Sequence, residues 1–515
     1  MNQAARPPMH GGNLALLTLA LGMATFMQVL DTSIANVSLP AISGDLAVSP
    51  NQGTWVITSF AVSNAIALPL TGWLSRRIGE VRLFIASTLL FTLASFLCGL
   101  APTLPLLIAF RVLQGAVAGP MMPLSQSLLL SNYPLEKKAI ALSLWSATVT
   151  VAPIMGPIMG GWITDNITWP WIFYINVPIG IISAAISWQL LRDRESAIVR
   201  QPIDTVGLVL LMLGIGALQL VLDKGNDLDW FESSEIIALT LVAVVALAFL
   251  IVWELTEKHP VIDLHLYGQR NFLVGSLILS IGYLVFFANV IVLPLWLQTQ
   301  MGYTATWAGL AAAPIGIVPI FLAAFVGKNL HKIDLRVWTT LAFGIFASVS
   351  FWNSGFNADV PFINLVIPRV IQGFGLACFF VPLTSLTLSG LPPNMLPSAT
   401  GLANFSRVVA GSFGTSLSIA LWDRRTTVHH ATLTEHVTPY SPATEQMLNA
   451  INTIGATPPT DAALLENIVN QQAVMLATND IFWLSGCFFV LLTILVWAAK
   501  PPRAQTSPAP VVHGE

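Results

Sequence analysis

Ala24-Thr-Phe-Met-Gln28-Val-Leu-Asp31-Thr-Ser-Ile-Ala35-Asn36-Val-Ser38-Leu-Pro40 sets a carboxylate inside an apolar run that begins at Leu14. Roughly 20 apolar residues suffice to cross the hydrocarbon of a bilayer, so this run is long enough to enter one. A charge at that depth costs about 3 kcal/mol or more and is seldom retained without a partner or a task. At helical spacing Gln28 lies at i−3 and Ala35 at i+4 of Asp31, with Ser38 further along the same face. The result is a polar stripe on an otherwise greasy helix.

The rest of the chain suits the same solvent. Over 515 residues it is 55% hydrophobic and 9% charged, with a mean hydropathy of +0.74, where ordinary soluble domains carry about 25% charged residues. Cys98, Cys378 and Cys487 all fall in apolar runs and read as small buried hydrophobes, not as a disulfide framework. Arg6 precedes the first run with no small-residue cleavage site after it, which marks an uncleaved span, not a signal peptide. Fourteen segments can cross: 14–37, 53–75, 82–101, 104–130, 139–162, 171–191, 205–223, 235–256, 272–297, 307–327, 338–356, 361–390, 399–422 and 478–499. An even number puts both termini on one side. Of the 22 Lys and Arg residues, 16 fall in the loops on the side of the termini, three (Lys224, Arg424, Arg425) on the other, and three (Arg111, Arg369, Arg407) within spans. Positive charge stays in the cytoplasm, so both termini are expected there.

Two stretches read alike. Pro105-Leu-Leu-Ile-Ala-Phe-Arg111-Val-Leu-Gln114-Gly115 parallels Ile363-Asn-Leu-Val-Ile-Pro-Arg369-Val-Ile-Gln372-Gly373, and Thr54-Trp55 is echoed by Thr306-Trp307. The offset exceeds what six helices supply. It predicts an all-α membrane protein of two six-helix halves, 1–200 and 257–515, with an inserted helix pair at 201–256. Repeated halves around a midplane site are the plan of secondary transporters.

Four motifs then resemble one family. Leu30-Asp31-Thr-Ser-Ile-Ala-Asn36-Val-Ser-Leu-Pro40 is similar to the first-helix signature of the fourteen-span drug:proton antiporters of the major facilitator superfamily. Gly72-Trp-Leu-Ser-Arg76-Arg77-Ile-Gly79-Glu-Val-Arg82 resembles the superfamily's loop between helices 2 and 3, and Arg111-Val-Leu-Gln114-Gly115 its helix-4 motif. Ala152-Pro-Ile-Met-Gly156-Pro157-Ile-Met-Gly160-Gly161 resembles the helix-5 antiporter motif. The likeness covers the whole chain and is closest to the EmrB-type branch. Two positions depart from the pattern: Arg76 stands where the loop usually carries an acid, and Ala152 replaces the first glycine of the helix-5 motif. The resemblance implies proton-coupled efflux of lipophilic or amphipathic toxic compounds across a bacterial inner membrane, without a bound cofactor. It also implies a periplasmic adaptor of the EmrA type and an outer-membrane channel of the TolC type; no nucleic acid is implied.

The residues support specific roles. Asp31 lies about six residues before the outer end of the first span and Arg111 about seven after the outer start of the fourth. At 1.5 Å per residue both sit roughly 10 Å inside the outer boundary, at matching depth for an ion pair. Asp31 is the candidate proton carrier, with Arg111 tuning it; a permanent pair pinning the two helices is the alternative. The second half repeats the arginine as Arg369, but 272–297 holds no acid, and Asn289 is its nearest polar group. Coupling is therefore expected to be asymmetric, with Arg369 bonded to backbone carbonyls or water. Gln28, Asn64, Gln126, Asn289, Arg369 and Gln372 are the polar candidates for a substrate pocket, and Arg407 either lines a vestibule or packs. Gly156, Pro157, Gly160 and Gly161 fit a kinked, closely packed fifth helix, and Gly72, Arg76, Arg77, Gly79 and Arg82 a gating loop that at minimum anchors the topology. Asp204 reads as an N-cap and Asp223, beside Lys224, as interfacial.

The outer segment 423–477 holds His429, His430 and His436, which no cysteine or acid cluster completes as a metal site; Thr427 to Val437 is expected to continue the helix outward as a docking surface. No Gly-x-x-x-x-Gly-Lys-Ser/Thr loop, His-Glu-x-x-His or Gly-x-Ser-x-Gly occurs, which argues against ATP hydrolysis and enzymatic chemistry by those routes. A symporter for a specific polar metabolite needs more directional polar groups than these spans carry, and a scaffold or membrane enzyme has no need of duplicated halves.

Overall fold

The computed structural model describes residues 8–500 apart from 49, 135–136, 200–201, 203, 226–227, 259, 331, 393–394, 439–440 and 454–459. Arg6, Arg200 and Arg503, counted in the charge balance, lie outside the described residues, as do the side chains of Pro157, Thr306 and Lys328.

Among the described residues eleven helices are long and apolar enough to cross a membrane. In chain order they are α1 (Gly11–Asp45), α2 (Trp55–Ile78), α3 (Glu80–Gly99), α4 (Leu104–Asn132), α6 (Trp171–Leu191), α7 (Thr205–Lys224), α8 (Ser234–Thr256), α9 (Arg270–Thr299), α11 (Leu335–Asn353), α12 (Phe362–Thr387) and α14 (Thr460–Leu495). Three further spans, α5 (Lys138–Asn166), α10 (Ala305–Ala312 continued by Pro314–Asn329) and α13 (Leu396–His436), bring the bundle to fourteen. The spans read from hydropathy fall on these helices one for one. Local chemistry explains their breaks. α4 is interrupted at Gly119-Pro120 and α10 at Ala313-Pro314, because proline supplies no N–H to the ladder. Asp204 caps α7 by accepting from the Gly207 N–H at 2.8 Å, as its position before the span predicts.

Helix α1 differs from expectation in length. It continues past Val37 to Asp45, so Asp31 stands fourteen residues before its end instead of six. The apolar window closes where polarity returns, but backbone bonding has no reason to stop there. Asp31 is accordingly near the middle of its helix. α13 and α14 likewise run beyond the apolar stretch, and the outer part of α13 holds Thr427 through His436.

Loops on the basic side are tied together. Met9 N–H donates to the Asn132 carbonyl and Arg194 Nη1 to the Asn132 side chain, while Val199 N–H reaches the Arg76 carbonyl. Arg270 and Arg336 donate to the Ala498 and Ala499 carbonyls. Helix α7 packs between the halves: Gly216 faces Ile66 of α2, and Gln219 and Leu222 bond Ser412 and Ser416 of α13. Its partner α8 presents apolar side chains outward, with Leu241 64%, Phe249 63% and Val252 63% exposed. Such a face is stable only against lipid.

Helices α1 and α5 meet backbone to backbone. A Cβ on Gly156 would lie 3.0 Å from the Ser33 backbone carbon, and one on Gly160 3.1 Å from the Ile34 carbonyl oxygen. Ser38 and Thr164 share a hydrogen bond of 2.8 Å at the same seam. Small residues there allow the approach. Gly161 is looser, its nearest neighbour being Val37 Cγ1 at 4.0 Å from a built Cβ. Gly156→Ala is therefore expected to destabilise by about 1–3 kcal/mol through overpacking, read as a lowered melting temperature in detergent, while Gly161→Ala leaves it nearly unchanged. Equal melting of the two variants would rule out the seam as a tight contact.

Candidate functional site: a buried ion pair and two cavities

Asp31 and Arg111 are both completely buried and pair, with Arg111 Nη1 2.5 Å from Asp31 Oδ2. Three more side chains complete the cluster. Gln114 Nε2 donates to Asp31 Oδ1 at 3.1 Å while its Oε1 accepts from Arg111 Nη1 at 2.7 Å. Asn176 Nδ2 donates to the same Oδ1 at 2.9 Å and to Ser95 Oγ at 2.8 Å. Arg111 Nε is held by the Val56 carbonyl at 2.9 Å, and the guanidinium stacks on Phe60 at 4.3 Å and Phe173 at 5.6 Å. Helices α1, α2, α3, α4 and α6 thus converge on one carboxylate. Its charge is compensated by an ion and two amide donors, which is what makes a buried carboxylate tolerable.

The sequence placed Asp31 and Arg111 at matching depth and marked Gln114 only as part of a motif; it carried no sign of Asn176 or Ser95. Neither carries a motif signal, and each becomes visible only when α3 and α6 are packed against α1. Gln28 was expected on the stripe with Asp31; it is buried, and its Oε1 has no partner among the described residues.

The second half echoes the first incompletely. Arg369 Nη1 donates to Gln372 Oε1 at 2.5 Å, repeating Arg111 and Gln114. No carboxylate joins them, and Arg369 Nε and Nη2 have no partner among the described residues. Arg369 was expected to bond backbone carbonyls or water; the described bond of its Nη1 is to the Gln372 side chain. Arg369 lines an open-sided cavity of about 70 Å³, together with Asn289, Tyr283, Phe286, Phe287 and Pro153. Asn289 spends its amide on the Val285 carbonyl at 2.8 Å. A neighbouring cavity of about 20 Å³, room for little more than one water, is lined by Gln126, Trp145, Asn404 and Arg407, and Phe380 borders both. Asn404 Nδ2 donates to Gln126 Oε1 at 3.1 Å across the two halves. Arg407 is buried, donating to Tyr283 Oη at 2.9 Å and to Met122 Sδ at 2.7 Å. Gln28, Asn64 and Gln372 do not line these two cavities.

At the basic end the halves touch. Arg76 Nη1 donates to Ser398 Oγ at 2.8 Å, and a Cβ on Gly72 would lie 2.9 Å from the Ser398 Cα. Gly79 has φ +99, a left-handed conformation that suits glycine. Glu195, which no motif marked, accepts from the Val81 and Arg82 N–H groups at 3.0 and 2.9 Å and so caps α3. It brings an acid to the loop that Arg76 denies it in sequence. Arg77 lies over Trp73 at 5.3 Å, and Arg82 is an exposed, loose partner of Glu195 at 3.9 Å.

At the end opposite the basic loops Lys224 covers Trp55 at 5.6 Å and bonds Thr54 at 2.5 Å, while Asp223 is half-buried and accepts from Gln219 at 3.0 Å. Of the three histidines in 423–477, His429 and His430 pair with acids of α14, whereas His436 Nδ1 meets the Thr432 carbonyl at 2.9 Å. His429 Nε2 is 2.7 Å from Asp480, which Arg425 also bonds, and His430 Nε2 is 2.8 Å from Glu466. Among the described residues no group of three or more His, Cys, Asp or Glu side chains is placed to hold a metal ion.

The Major Facilitator Superfamily model matches residues 21–415. The multidrug export protein EmrB of Haemophilus influenzae is 54% identical over 96% of this chain and 98% of its own length, and EmrB of Escherichia coli K12 is 52% identical over 96% and 97%. The fatty acid resistance protein FarB of Neisseria gonorrhoeae is 50% identical over 96% and 98%. The fold is similar to that of the solved proton:xylose symporter XylE, with TM-score 0.59 and 14% identity over 94% of this chain and 95% of that one. The chain therefore belongs to the major facilitator superfamily, within its EmrB/FarB-type group of multidrug exporters.

Proposed function

We propose that this protein exports lipophilic or amphipathic toxic compounds across the inner membrane in exchange for protons, with Asp31 as the proton carrier. The observation that carries the reading is a fully buried carboxylate whose ion partner has other ligands to fall back on. When Asp31 takes up a proton, its pairing with Arg111 is lost. The guanidinium keeps Gln114 Oε1, the Val56 carbonyl and two aromatic faces. The cost of separating the pair is thereby reduced, and protonation can switch the cluster without unfolding it. The same bonds would also serve a permanent pair by satisfying other guanidinium N–H groups, so the proton role rests on the Asp31→Asn test.

The movement has a short route. Ser33 and Ile34, two and three residues after Asp31, are the residues that α5 presses with Gly156 and Gly160. A shift of α1 would be passed to α5, and the Gly72, Arg76 and Ser398 contact at the basic end would open or close in response. Pro157, Gly161, Arg77, Gly79 and Arg82 belong to the same two elements. The cavities lined by Gln126, Asn289 and Arg369 are the proposed substrate site, with Gln372 holding Arg369. An apolar wall with few polar groups suits ligands of mixed chemistry, in keeping with relatives described by multidrug export and fatty acid resistance. Both termini are assigned to the cytoplasm from the basic loops.

A tripartite assembly is the finer part of this reading. Helix α13 has 41 residues, about 62 Å at 1.5 Å per residue, roughly twice what the hydrocarbon needs. Its outer end and α14 form a projecting surface for a periplasmic adaptor of the EmrA type, leading to an outer-membrane channel of the TolC type.

Two outcomes test the proton role. In proteoliposomes Asp31→Asn is expected to abolish proton release on substrate addition, and in cells to raise drug accumulation to the level seen with an uncoupler, with the protein still in the membrane. Normal efflux by that variant would exclude Asp31 as the carrier. Arg111→Met leaves a buried carboxylate uncompensated and is expected to cost about 3–5 kcal/mol of stability. Asp31→Asn in the same chain should recover most of it, a rescue readable in detergent melting curves.

A further inference from the structure

We infer that Asp204 and Glu254 form a second proton-binding site, at the basic end of the inserted helix pair, where Glu254 carries the proton and Asp204 accepts its O–H. Glu254 stands in the last turn of α8 and is completely buried. Asp204 precedes the first turn of α7, and these two helix ends lie side by side. A Cβ on Gly207 would press on Asp204 Oδ2 and lie 2.8 Å from Glu254 Oε1. The two carboxyl groups therefore crowd one spot, beside a residue that has no side chain.

The bonding of each group says which one holds the proton. Asp204 only accepts: Oδ1 takes the Gly207 N–H at 2.8 Å, and both oxygens take the Trp253 indole N–H at 3.0 Å. It sits at a helix N-terminus, where the macrodipole favours an anion, whereas Glu254 sits at a C-terminus, where the dipole opposes one. The two oxygens of Glu254 differ. Oε2 accepts from the Ile262 N–H at 3.1 Å, and the Val261 N–H faces the same carboxyl, but Oε1 is buried without a partner. One oxygen that accepts and one bare oxygen turned toward a carboxylate is the pattern of a carboxylic acid, whose C=O accepts and whose O–H donates.

The surroundings hold no cation to take the place of that proton. No Lys or Arg pairs with Glu254 among the described residues; the end of its own helix adds Glu257, another acid, and Lys258 is exposed. The turn toward α9 adds Asp263, which His265 and Arg76 face. Two carboxyl groups this close in a buried site do not both ionise, and one of them keeps its proton. Asp204 is only half-buried and gives the proton its way in from the basic side. With the proton in place, the O–H joins the start of α7 to the end of α8, while Oε2 holds the turn that leads into α9. Without it, two anions would oppose each other at that junction.

The test reads the infrared carbonyl stretch of a protonated carboxyl, which a carboxylate lacks, on the full chain in lipid nanodiscs. It is made in an Asp31→Asn background, which removes the buried acid of the first half. At neutral pH a band is expected that Glu254→Gln abolishes. Asp204→Asn keeps the cap of α7, since Asn caps as well as Asp, but removes the facing charge. In that variant the band should fade with rising pH about one unit or more earlier. A neutral-pH spectrum with no Glu254-dependent band overturns the site, as does a band whose fading Asp204→Asn leaves in place. If Glu254→Gln does not reach the membrane, the Asp204→Asn shift decides alone, because only a carboxyl beside Asp204 answers to that change. Asp31 is absent from every variant compared, so these outcomes leave the exporter reading to its own test.

Discussion

A carboxylate without access to water must be neutralised by protein, and in this chain one guanidinium and two amides do so at Asp31. Everything around the pair follows from that requirement. Arg111 brings α4 to α1, Asn176 and Ser95 bring α6 and α3, and the Val56 carbonyl brings α2. An interior of interchangeable apolar side chains would let these helices slide past one another, because lipid solvates Leu as well as protein does. The polar cluster has one register. It fixes the relative height of five helices, which hydrophobic burial in a membrane does not.

The same helix that carries the acid carries the seam with α5. Ser33 and Ile34 press Gly156 and Gly160 within one turn of Asp31, and α5 in turn meets the other half, where Ile140 packs on Gly327 and Ile158 on Gly309. Packed interiors deform in steps, not continuously. A change at the carboxylate therefore has a contiguous route from the first half to the second. At this seam the glycines meet both side-chain and backbone atoms, Gly156 at Ser33 and Gly160 at Ile34, so neither helix has much room to shift alone.

The sequence was legible where physics is local. Hydropathy marks the spans because the bilayer imposes one length on all of them, and Asp31 and Arg111 announce themselves as charges that lipid would not tolerate. The Arg-x-x-Gln repeat exposes the two halves because each copy must solve the same bonding problem. Asn176, Ser95 and Glu195 were not legible. Each is an ordinary polar residue until a helix from elsewhere in the chain is laid against it, and one sequence does not contain that information. The true end of α1 was missed for a different reason. Hydropathy reports where lipid ends, whereas the helix ends where its backbone bonding does, eight residues later at Asp45 instead of Val37.

Duplication makes the remaining asymmetry informative. Both halves keep an arginine fastened to the glutamine one turn on, Arg111 to Gln114 and Arg369 to Gln372. Only the first half kept an acid to close the circuit, and it is there that the cluster is completely buried. The second half kept the cation alone, and it borders a cavity. These are the two stable answers to one electrostatic problem. A buried guanidinium either is neutralised by its own fold, and can then be sealed away, or it must face a space into which solvent or a ligand can bring the missing charge. If Asp31 carries the proton, as proposed, the proton changes a pair that is already balanced, whereas Arg369, with no acid beside it among the described residues, has no such pair to change.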